Sequence, residues 1–421
     1  MQVDIKKIYS SPMIGSIFYF FFIALLCSQS LMDLGSTLIA LAVILTLVQK
    51  KKRGENLPFP KVGLERIFPI WAAIILVGLL TNLQPETPWL KSFLEFRWIL
   101  ELYFYIAALM ILEPKEKDFK KLLPVLLIAS FYAVAAYFLK FHPFLESASV
   151  REANMFGYRT GGLFLNPMPF AHTYGPLGML LMGPILYMNR KKISENKFWI
   201  LCALMTLFAV VLSFTRGVWI GMVAGLLAMG FLINWKKGLM VLSVGAISAG
   251  ALMLAVPSIL ERILFSLNPT ATYDSERLII WKANWLIFTE HPIFGLGYSE
   301  NGNRLREYFD RIGVAKGFLE SHAHNQYLHF LAGTGILGLA CFLVVVVWFF
   351  RMHFLAFKSF DENRNPFWKG LALGVLGAEV CFFTSGVTES NFSIAKNRYF
   401  IMTVWALGCW LYFKVKSQKP V

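Results

Sequence analysis

The sequence is short of charge and of paired cysteines. Charged residues make up only 15% of its 421 residues, whereas a soluble protein carries roughly 25%. The five cysteines are an odd number, fall in apolar runs and have no Cys-x-x-Cys spacing. That pattern argues against a disulfide framework or a zinc site. No low-complexity tail or internal repeat is visible. These absences exclude an ordinary soluble domain.

Long apolar runs are what the sequence has instead. Hydrophobic residues account for 57% of the chain, and about twelve runs approach or exceed the roughly 20 residues that a spanning helix needs. The predicted spans are 13–31, 33–49, 67–82, 98–113, 122–141, 167–188, 198–214, 217–234, 238–257, 326–350, 370–388 and 398–414. We therefore predict an all-α, polytopic membrane protein in which residues 1–421 form a single integral-membrane domain.

The net charge of +15, from 40 basic and 25 acidic residues, has a distribution that points to the membrane. The charges separate apolar runs and form no basic face, so no nucleic-acid partner is expected. With the N-terminus inside, 25 Lys and Arg lie on inner segments and 15 on outer ones, seven of them in the long segment 258–325. The positive-inside rule discounts such long loops. We expect both termini in the cytoplasm, membrane lipids as neighbours, and 258–325 outside, between the ninth and tenth spans.

Two outer segments, 142–166 and 258–325, are too long to be simple turns. In the second, Leu278, Trp281, Trp285 and Phe288 recur at helical spacing. This spacing predicts an amphipathic helix that lies against the membrane or folds over the bundle. The His-Pro pair at 291–292 should end it.

The stretch 321–339, SHAHNQYLHFLAGTGILGL, places polar, titratable residues at the mouth of a spanning helix. Such residues are expensive to keep there, so they indicate a site. A lone histidine is usually structural, but His322 and His324 are only two residues apart. A neutral imidazole can take a proton from a hydroxyl nucleophile. Glu379 and Glu389 are both possible carboxylate partners, and the sequence does not choose between them.

Three arginines are predicted on the same outer face. Arg216 lies in LSFTRGVWIGM with almost no loop around it, Arg277 in YDSERLIIW and Arg159 in FGYRTGGLFLNP. Each has a simple alternative: a side chain reaching lipid phosphates, a solvated helix charge or a loop anchor. Together they could bind an anion, because a guanidinium holds phosphate oxygens bidentately.

Other patterns are weaker. Residues 333–338 match Gly-x-Gly-x-x-Gly, but they lie inside an apolar span, where small residues favour close helix packing. The Asp-Ser-Glu at 274–276 and the histidines His322, His324 and His329 could be imagined as metal ligands. Neither group is complete by spacing, so no metal is expected.

Three segments together resemble the O-antigen ligase and O-antigen polymerase superfamily: FTRGVWIG, SERLIIWKANWLIFTEHPIFGLG and SHAHNQYLHFLAGTGILGL. The resemblance is strongest over about 200–345. It implies a GT-C-type inner-membrane glycosyltransferase of bacteria that needs no metal or cofactor. The implied donor is a glycan on undecaprenyl diphosphate, presented on the periplasmic side. In the ligase branch, which this chain resembles most, the acceptor is a sugar hydroxyl of the lipid A–core.

The same resemblance implies roles for individual residues. Arg216 and Arg277 match arginines that hold the diphosphate, and His324, directly before Asn325, matches the catalytic histidine. One departure is that the acidic residue near the eleventh span is a glutamate. The expected catalytic residues are His324, Arg216 and Arg277, and the expected substrate-binding residues are Arg159, His322, Asn325 and Glu389.

Other functions stay open at this point. A polymerase would extend one lipid-linked glycan with another. A protein glycosylase of the family would carry a larger C-terminal outer region, whereas this chain ends in the basic tail KVKSQKPV. A secondary transporter of an anionic solute could use the same arginines, but it should show broken spans in two related halves. A structural scaffold would not need arginines and histidines on one face.

Overall fold

The computed structural model describes residues 12–54, 60–83, 89–140, 159–164, 166–187, 196–266, 272–314 and 322–417. Every regular element in these ranges is helical, as predicted. The helices are α1 (Pro12–Leu25), α2 (Gln29–Lys52), α3 (Ile67–Thr81), α4 (Trp89–Leu94), α5 (Trp98–Leu112), α6 (Glu116–Leu139), α7 (Pro167–Tyr187), α8 (Lys197–Val211), α9 (Arg216–Ile233), α10 (Trp235–Ala255), α11 (Pro257–Ser266), α12 (Thr272–Glu290), α13 (Glu300–Asn303), α14 (Leu305–Arg311), α15 (Gln326–Ser359), α16 (Pro366–Ser385) and α17 (Ala395–Ser417).

Each of the twelve predicted spans coincides with one of these helices, namely α1–α3, α5–α10 and α15–α17. Six of them, α2, α6, α9, α10, α15 and α16, are long and apolar enough to cross a membrane. The chain is thus an integral membrane protein by composition and helix length, while twelve crossings stay a prediction. The first span is shorter than predicted, because α1 ends at Leu25 and Ser28, in an extended conformation, precedes the next helix.

Aromatic side chains fill the centre of the helix assembly. One hydrophobic cluster includes residues from Phe21 in α1 to Val415 in α17. Within it, the ring centroids of Phe330 and Phe342 are 4.2 Å apart and those of Trp98 and Phe392 are 5.1 Å apart. Large aromatic rings bury much apolar area at low cost in conformational entropy. They therefore form a closely packed core next to the helix ends described below.

Helix α15 is broken near its start, at Gly335. This glycine has φ 65° and ψ −171°, which interrupts the helical hydrogen bonds. The turn formed by residues 292–297 fills the break and satisfies the released backbone groups, as a buried interruption requires. The hydrogen bonds are Leu296 N–H to Ala332 C=O at 3.0 Å, Gly297 N–H to Gly333 C=O at 2.9 Å and Ile336 N–H to Pro292 C=O at 2.9 Å. Gly335 thus serves a helix break, while Gly333 allows the close approach expected from the sequence, since a Cβ on it would lie 3.0 Å from Oδ1 of Asn301.

The predicted amphipathic helix corresponds to α12, which ends at Glu290, directly before His291 and Pro292. The face that packs on the protein is not the predicted stripe. Ile280, Ala283 and Ile287 are buried against α14 and α15, whereas Leu278 and Trp285 of the predicted stripe are 63% and 55% exposed. The helix folds over the bundle with one apolar face and leaves a second one uncovered. Contact of this second face with lipid remains a prediction.

Candidate active site

Two histidines share one buried glutamate at the start of α15. Nε2 of His322 lies 3.1 Å from Oε1 of Glu389, and Nδ1 of His324 lies 3.0 Å from Oε2. The two imidazole centroids are 4.2 Å apart. We call these three residues the His–Glu cluster. The Glu389 side chain is 2% exposed, whereas that of His322 is 31% exposed, so the cluster opens on the histidine side.

The carboxylate of the cluster is kept ionised by its partners. Burial alone would raise the pKa of Glu389, but the hydrogen bonds from His322 and His324 hold its pKa well below the usual range. A carboxylate accepts hydrogen bonds only, so Nδ1 of His324 carries the hydrogen in this arrangement. In a neutral ring, the lone pair is then on Nε2, which is the atom that could take a proton.

The turn before α15 brings the two histidines to the same carboxylate. His324 has φ 46°, in the left-handed region that non-glycine residues seldom adopt. Asn325 follows as the helix cap, and its Oδ1 accepts from the N–H groups of Tyr327 and Leu328, both at 3.0 Å. Backbone strain of this kind persists where surrounding contacts over-determine it. Asn325 therefore has a structural role, and its expected contact with substrate remains a prediction.

The loop after α16 positions Glu389 against α15. The side-chain oxygen of Gln326 accepts from the N–H of Phe392 at 2.7 Å, and the N–H of Gln326 donates to the carbonyl of Gly386 at 2.7 Å. The N–H of Ser390 donates to Oε1 of Glu389 at 3.0 Å. All of these groups are buried. The carboxylate is thus oriented by fixed backbone contacts before any ligand arrives.

Next to the cluster, the three predicted arginines line one small cleft with a cavity volume of about 20 Å³. We call it the arginine cleft; its walls include Arg159, Arg216, Arg277, His172, Thr388 and Glu389. Nε of Arg159 donates to the carbonyl of Ser213 at 2.9 Å. Arg216 is the first residue of α9, where the helix dipole also favours an anion. Three guanidinium groups facing one carboxylate give the cleft a positive field suited to phosphate oxygens.

Glycines on α9 bring the cleft and the cluster together. Gly217, Gly221 and Gly225 are four residues apart and face α16. A Cβ atom on Gly217 would lie 1.9 Å from Oγ1 of Thr388, and one on Gly221 would lie 2.4 Å from the carbonyl oxygen of Cys381. The spacing is a known signature of close helix approach. This signal was available in the sequence but did not enter the prediction.

The structure shows which of the two candidate carboxylates contacts His322 and His324. Glu389 joins the histidines, while Glu379 lies inside α16 with Oε1 3.0 Å from Nδ1 of His353 on α15. Asp274 and Ser275 have side chains outside the described set, so the Asp-Ser-Glu idea is untested. His329 contacts Nδ2 of Asn301 at 3.0 Å and is not part of the cluster. Among the described residues, the only group with metal-ligand potential is the His–Glu cluster itself.

His172 is a cleft residue that sequence reasoning missed. It is buried within α7, and its Nδ1 contacts the carbonyl of Met168 at 2.9 Å. Its Nε2 has no hydrogen-bond partner among the described residues. No local pattern marks this histidine, because only the packing of α7 against α9 and α16 places it beside the arginines.

These features define a helical membrane protein with an arginine-lined cleft beside an imidazole that a carboxylate orients. Comparison with known proteins specifies the class further. Residues 201–343 match the family model described as O-antigen ligase. This range contains Arg216, Arg277 and His324. The match confirms the resemblance drawn from the three sequence segments, which is to the O-antigen ligase family.

Two curated relatives agree at low identity. The ComP-specific O-oligosaccharyltransferase of Acinetobacter baylyi is 21% identical over 239 residues, which are 55% of this chain and 40% of that protein. The O-antigen ligase of Pseudomonas aeruginosa is 24% identical over 324 residues, which are 76% of this chain and 70% of that protein. The match thus spans less than half the length of the first relative. Both names describe glycan transfer, which supports a transferase at the level of the family.

Proposed function

We propose that this protein is an O-antigen ligase that transfers a glycan from undecaprenyl diphosphate to a sugar hydroxyl of the lipid A–core. The observation that carries the proposal is the position of Glu389, which lines the arginine cleft and also binds both histidines. One residue therefore links a phosphate-binding surface to a candidate base. A glycosyl transfer with a diphosphate leaving group needs both parts within reach of one anomeric carbon.

In this proposal the cleft holds the donor. As the anomeric bond breaks, negative charge develops on the diphosphate. Arg216 and Arg277, held in a site of low dielectric, stabilise that charge without a metal ion, and Arg159 is a further contact for the diphosphate oxygens. The arginines are on separate elements, with Arg216 on α9 and Arg277 on α12, so they can reach the diphosphate from two sides.

His324 acts on the acceptor. Its Nδ1–H donates to Glu389, and its Nε2 removes the proton of the acceptor hydroxyl as that oxygen attacks the anomeric carbon. A positioned base of this kind contributes roughly 10²–10⁴-fold to the rate. His322 and Asn325 support this side of the site, His322 by sharing the carboxylate and Asn325 by capping α15. Attack opposite the departing diphosphate inverts the anomeric centre.

The proposed orientation puts the site on the periplasmic side, with a GT-C-type arrangement and both termini in the cytoplasm. Lysines at the other end of the helices support it: Nζ of Lys369 is 5.4 Å from the Phe357 ring centroid, and Nζ of Lys414 is 4.9 Å from that of Trp368. The basic termini and Arg190–Lys192 lie outside the described residues. Thr289→Cys on exposed α12 should react with an impermeant thiol reagent in intact spheroplasts, whereas Lys51→Cys should react only after lysis. The reverse pattern would overturn the orientation.

The decisive experiment is reconstitution of the purified chain with an undecaprenyl-diphosphate glycan and lipid A–core, followed by product mass. The expected product is the acceptor plus one glycan, with diphosphate carrier released. Because one relative is named as a protein-directed oligosaccharyltransferase, a pilin and a second lipid-linked glycan serve as parallel acceptors. Transfer to either of these alone would replace the ligase proposal with the glycosylase or the polymerase one.

A further inference from the structure

We propose that the His–Glu cluster is a binding site for a divalent transition metal such as Zn²⁺, and that occupancy inhibits the protein. Binding does not depend on the proposed function, whereas inhibition rests on it. The metal here opposes the reaction and is no part of its mechanism.

The distances within the cluster fit a metal of this kind. One ligand atom from each of His322, His324 and Glu389 lies within 4.8 Å of the other two. In a tetrahedral zinc site with bonds of about 2.0–2.2 Å, neighbouring ligand atoms lie roughly 3.4 Å apart. The histidine contacts at 3.1 and 3.0 Å are to different oxygens of Glu389, so the carboxylate would turn to present one oxygen to the ion. Ligand atoms that are at most 4.8 Å apart would close to roughly 3.4 Å.

The chemistry of the ligands selects the ion. Two imidazoles and one carboxylate are a zinc-type set that leaves a fourth position for water. Magnesium and calcium prefer oxygen ligands and should bind poorly. An ion from solution could reach the cluster past His322, because the side chain of His322 is 31% exposed.

Neighbouring contacts hold the ligands of the cluster close to these positions. Glu389 is held by the N–H of Ser390, and its loop is tied to α15 through Gln326. His324 directly precedes the α15 cap. Outer contacts that orient ligands in this way commonly change metal affinity by about 10–100-fold.

Inhibition follows from the tautomer of His324. A metal on Nδ1 leaves the hydrogen of the neutral ring on Nε2, so that nitrogen can no longer accept a proton. The metal also takes the carboxylate that would stabilise the imidazolium. The base would thus be disabled while the three arginines of the cleft stay in place, and donor binding should persist.

Binding can be measured without any reaction. Zn²⁺ titrated calorimetrically into the metal-free full chain should saturate one site, and Co²⁺ should give the visible absorption of a four-coordinate ion there. His322→Ala and Glu389→Gln should each weaken binding by more than about 100-fold. His291→Ala, which changes a histidine outside the cluster, should leave it unchanged. Absence of saturable binding to the wild-type chain, or wild-type affinity in His322→Ala and Glu389→Gln, would overturn the site.

The second measurement is transfer by the reconstituted chain. Zn²⁺ should stop transfer in proportion to site occupancy, EDTA should restore it, and Mg²⁺ at the same concentration should do neither. Full transfer with the site saturated would overturn the inhibitory role. Metal-free protein that binds Zn²⁺ but transfers no glycan would overturn the proposed function, and the inhibitory role with it, while the metal site would stand.

Discussion

Two buried glutamates, Glu379 and Glu389, are ten residues apart in sequence. Each contacts histidine side chains from α15 or from the turn directly before it. Glu389 receives hydrogen bonds from His322, His324 and the N–H of Ser390. Glu379 has only the contact with His353, at 3.0 Å, and its oxygens make no well-oriented hydrogen bond among the described residues. Both Glu379 and His353 are 1% exposed and packed between α15, α16 and α17.

The difference separates a group prepared for chemistry from one enclosed by packing. Glu389 lies at a helix end, opens through His322 towards solvent and faces three arginines. Glu379 faces His353 and borders an apolar cavity whose described lining contains no basic residue. Ionisable residues within membrane helices are expensive and often functional. Here the partners and surroundings, rather than burial or residue type, distinguish the glutamate of the candidate site from the other one.

The largest effect should come from His324→Ala. Loss of the base should slow single-turnover transfer by roughly 10²–10⁴-fold. Donor affinity should change little, because the imidazole acts on the acceptor. His291→Ala is the control. Transfer by His324→Ala at the wild-type rate would show that the proposed base is wrong.

Arg216→Ala and Arg277→Ala should follow, each slowing transfer by roughly 10²–10³-fold, since a charge-assisted contact to the leaving group disappears. Lysine at either position should rescue poorly, because an ammonium cannot form the bidentate contact. Arg311→Ala is the matched control, since Arg311 is an exposed arginine paired with Glu290 outside the cleft. If these variants transfer glycan at the wild-type rate but no longer move a solute across proteoliposome membranes, the transporter hypothesis would be favoured.

Much of the helical organisation could be predicted from sequence, because long apolar runs dominate it. The arginines and histidines could be assigned to one face for the same reason. The choice between Glu379 and Glu389 could not, since it depends on where α16 ends and on the turn that begins at Gly386. The sequence likewise did not show which face of α12 packs on the bundle, because both faces carry large apolar residues and only tertiary contacts distinguish them.

Glu389→Gln should have an intermediate effect. It retains one oxygen acceptor but loses the charge, and a hydrogen bond to a charged group contributes about 1.5–3 kcal/mol, equivalent to roughly 10–150-fold in rate.

The variant also tests pH dependence. Because the folded pKa of Glu389 is lowered, its stabilisation is present above the unfolded value near 4.3 and is lost as pH falls below it. Thermal unfolding from pH 6 to 3 should therefore show a smaller acid loss for Glu389→Gln than for wild type.

Substitution of Glu379, the glutamate inside α16, should affect folding rather than transfer. Removing one partner of a buried pair costs about 3–5 kcal/mol, whereas replacing both with apolar residues is often neutral. Glu379→Leu alone should lower the unfolding temperature, and the double change with His353→Leu should restore much of it. Transfer per folded molecule should stay within about threefold of wild type. A large loss of rate in the folded double variant would show that Glu379 also serves the site.

The smallest effect should come from removing metal ions. If arginines replace a metal at the diphosphate, excess EDTA should leave the transfer rate within about twofold of its starting value. Any change should be an increase, because a trace of Zn²⁺ on the His–Glu cluster would be stripped away. Loss of transfer in EDTA that Mg²⁺ restores would favour a role for Asp274 and Glu276 instead. Restoration by Zn²⁺ would contradict both the metal-independent mechanism and the inhibitory site, and would make the His–Glu cluster a catalytic metal centre.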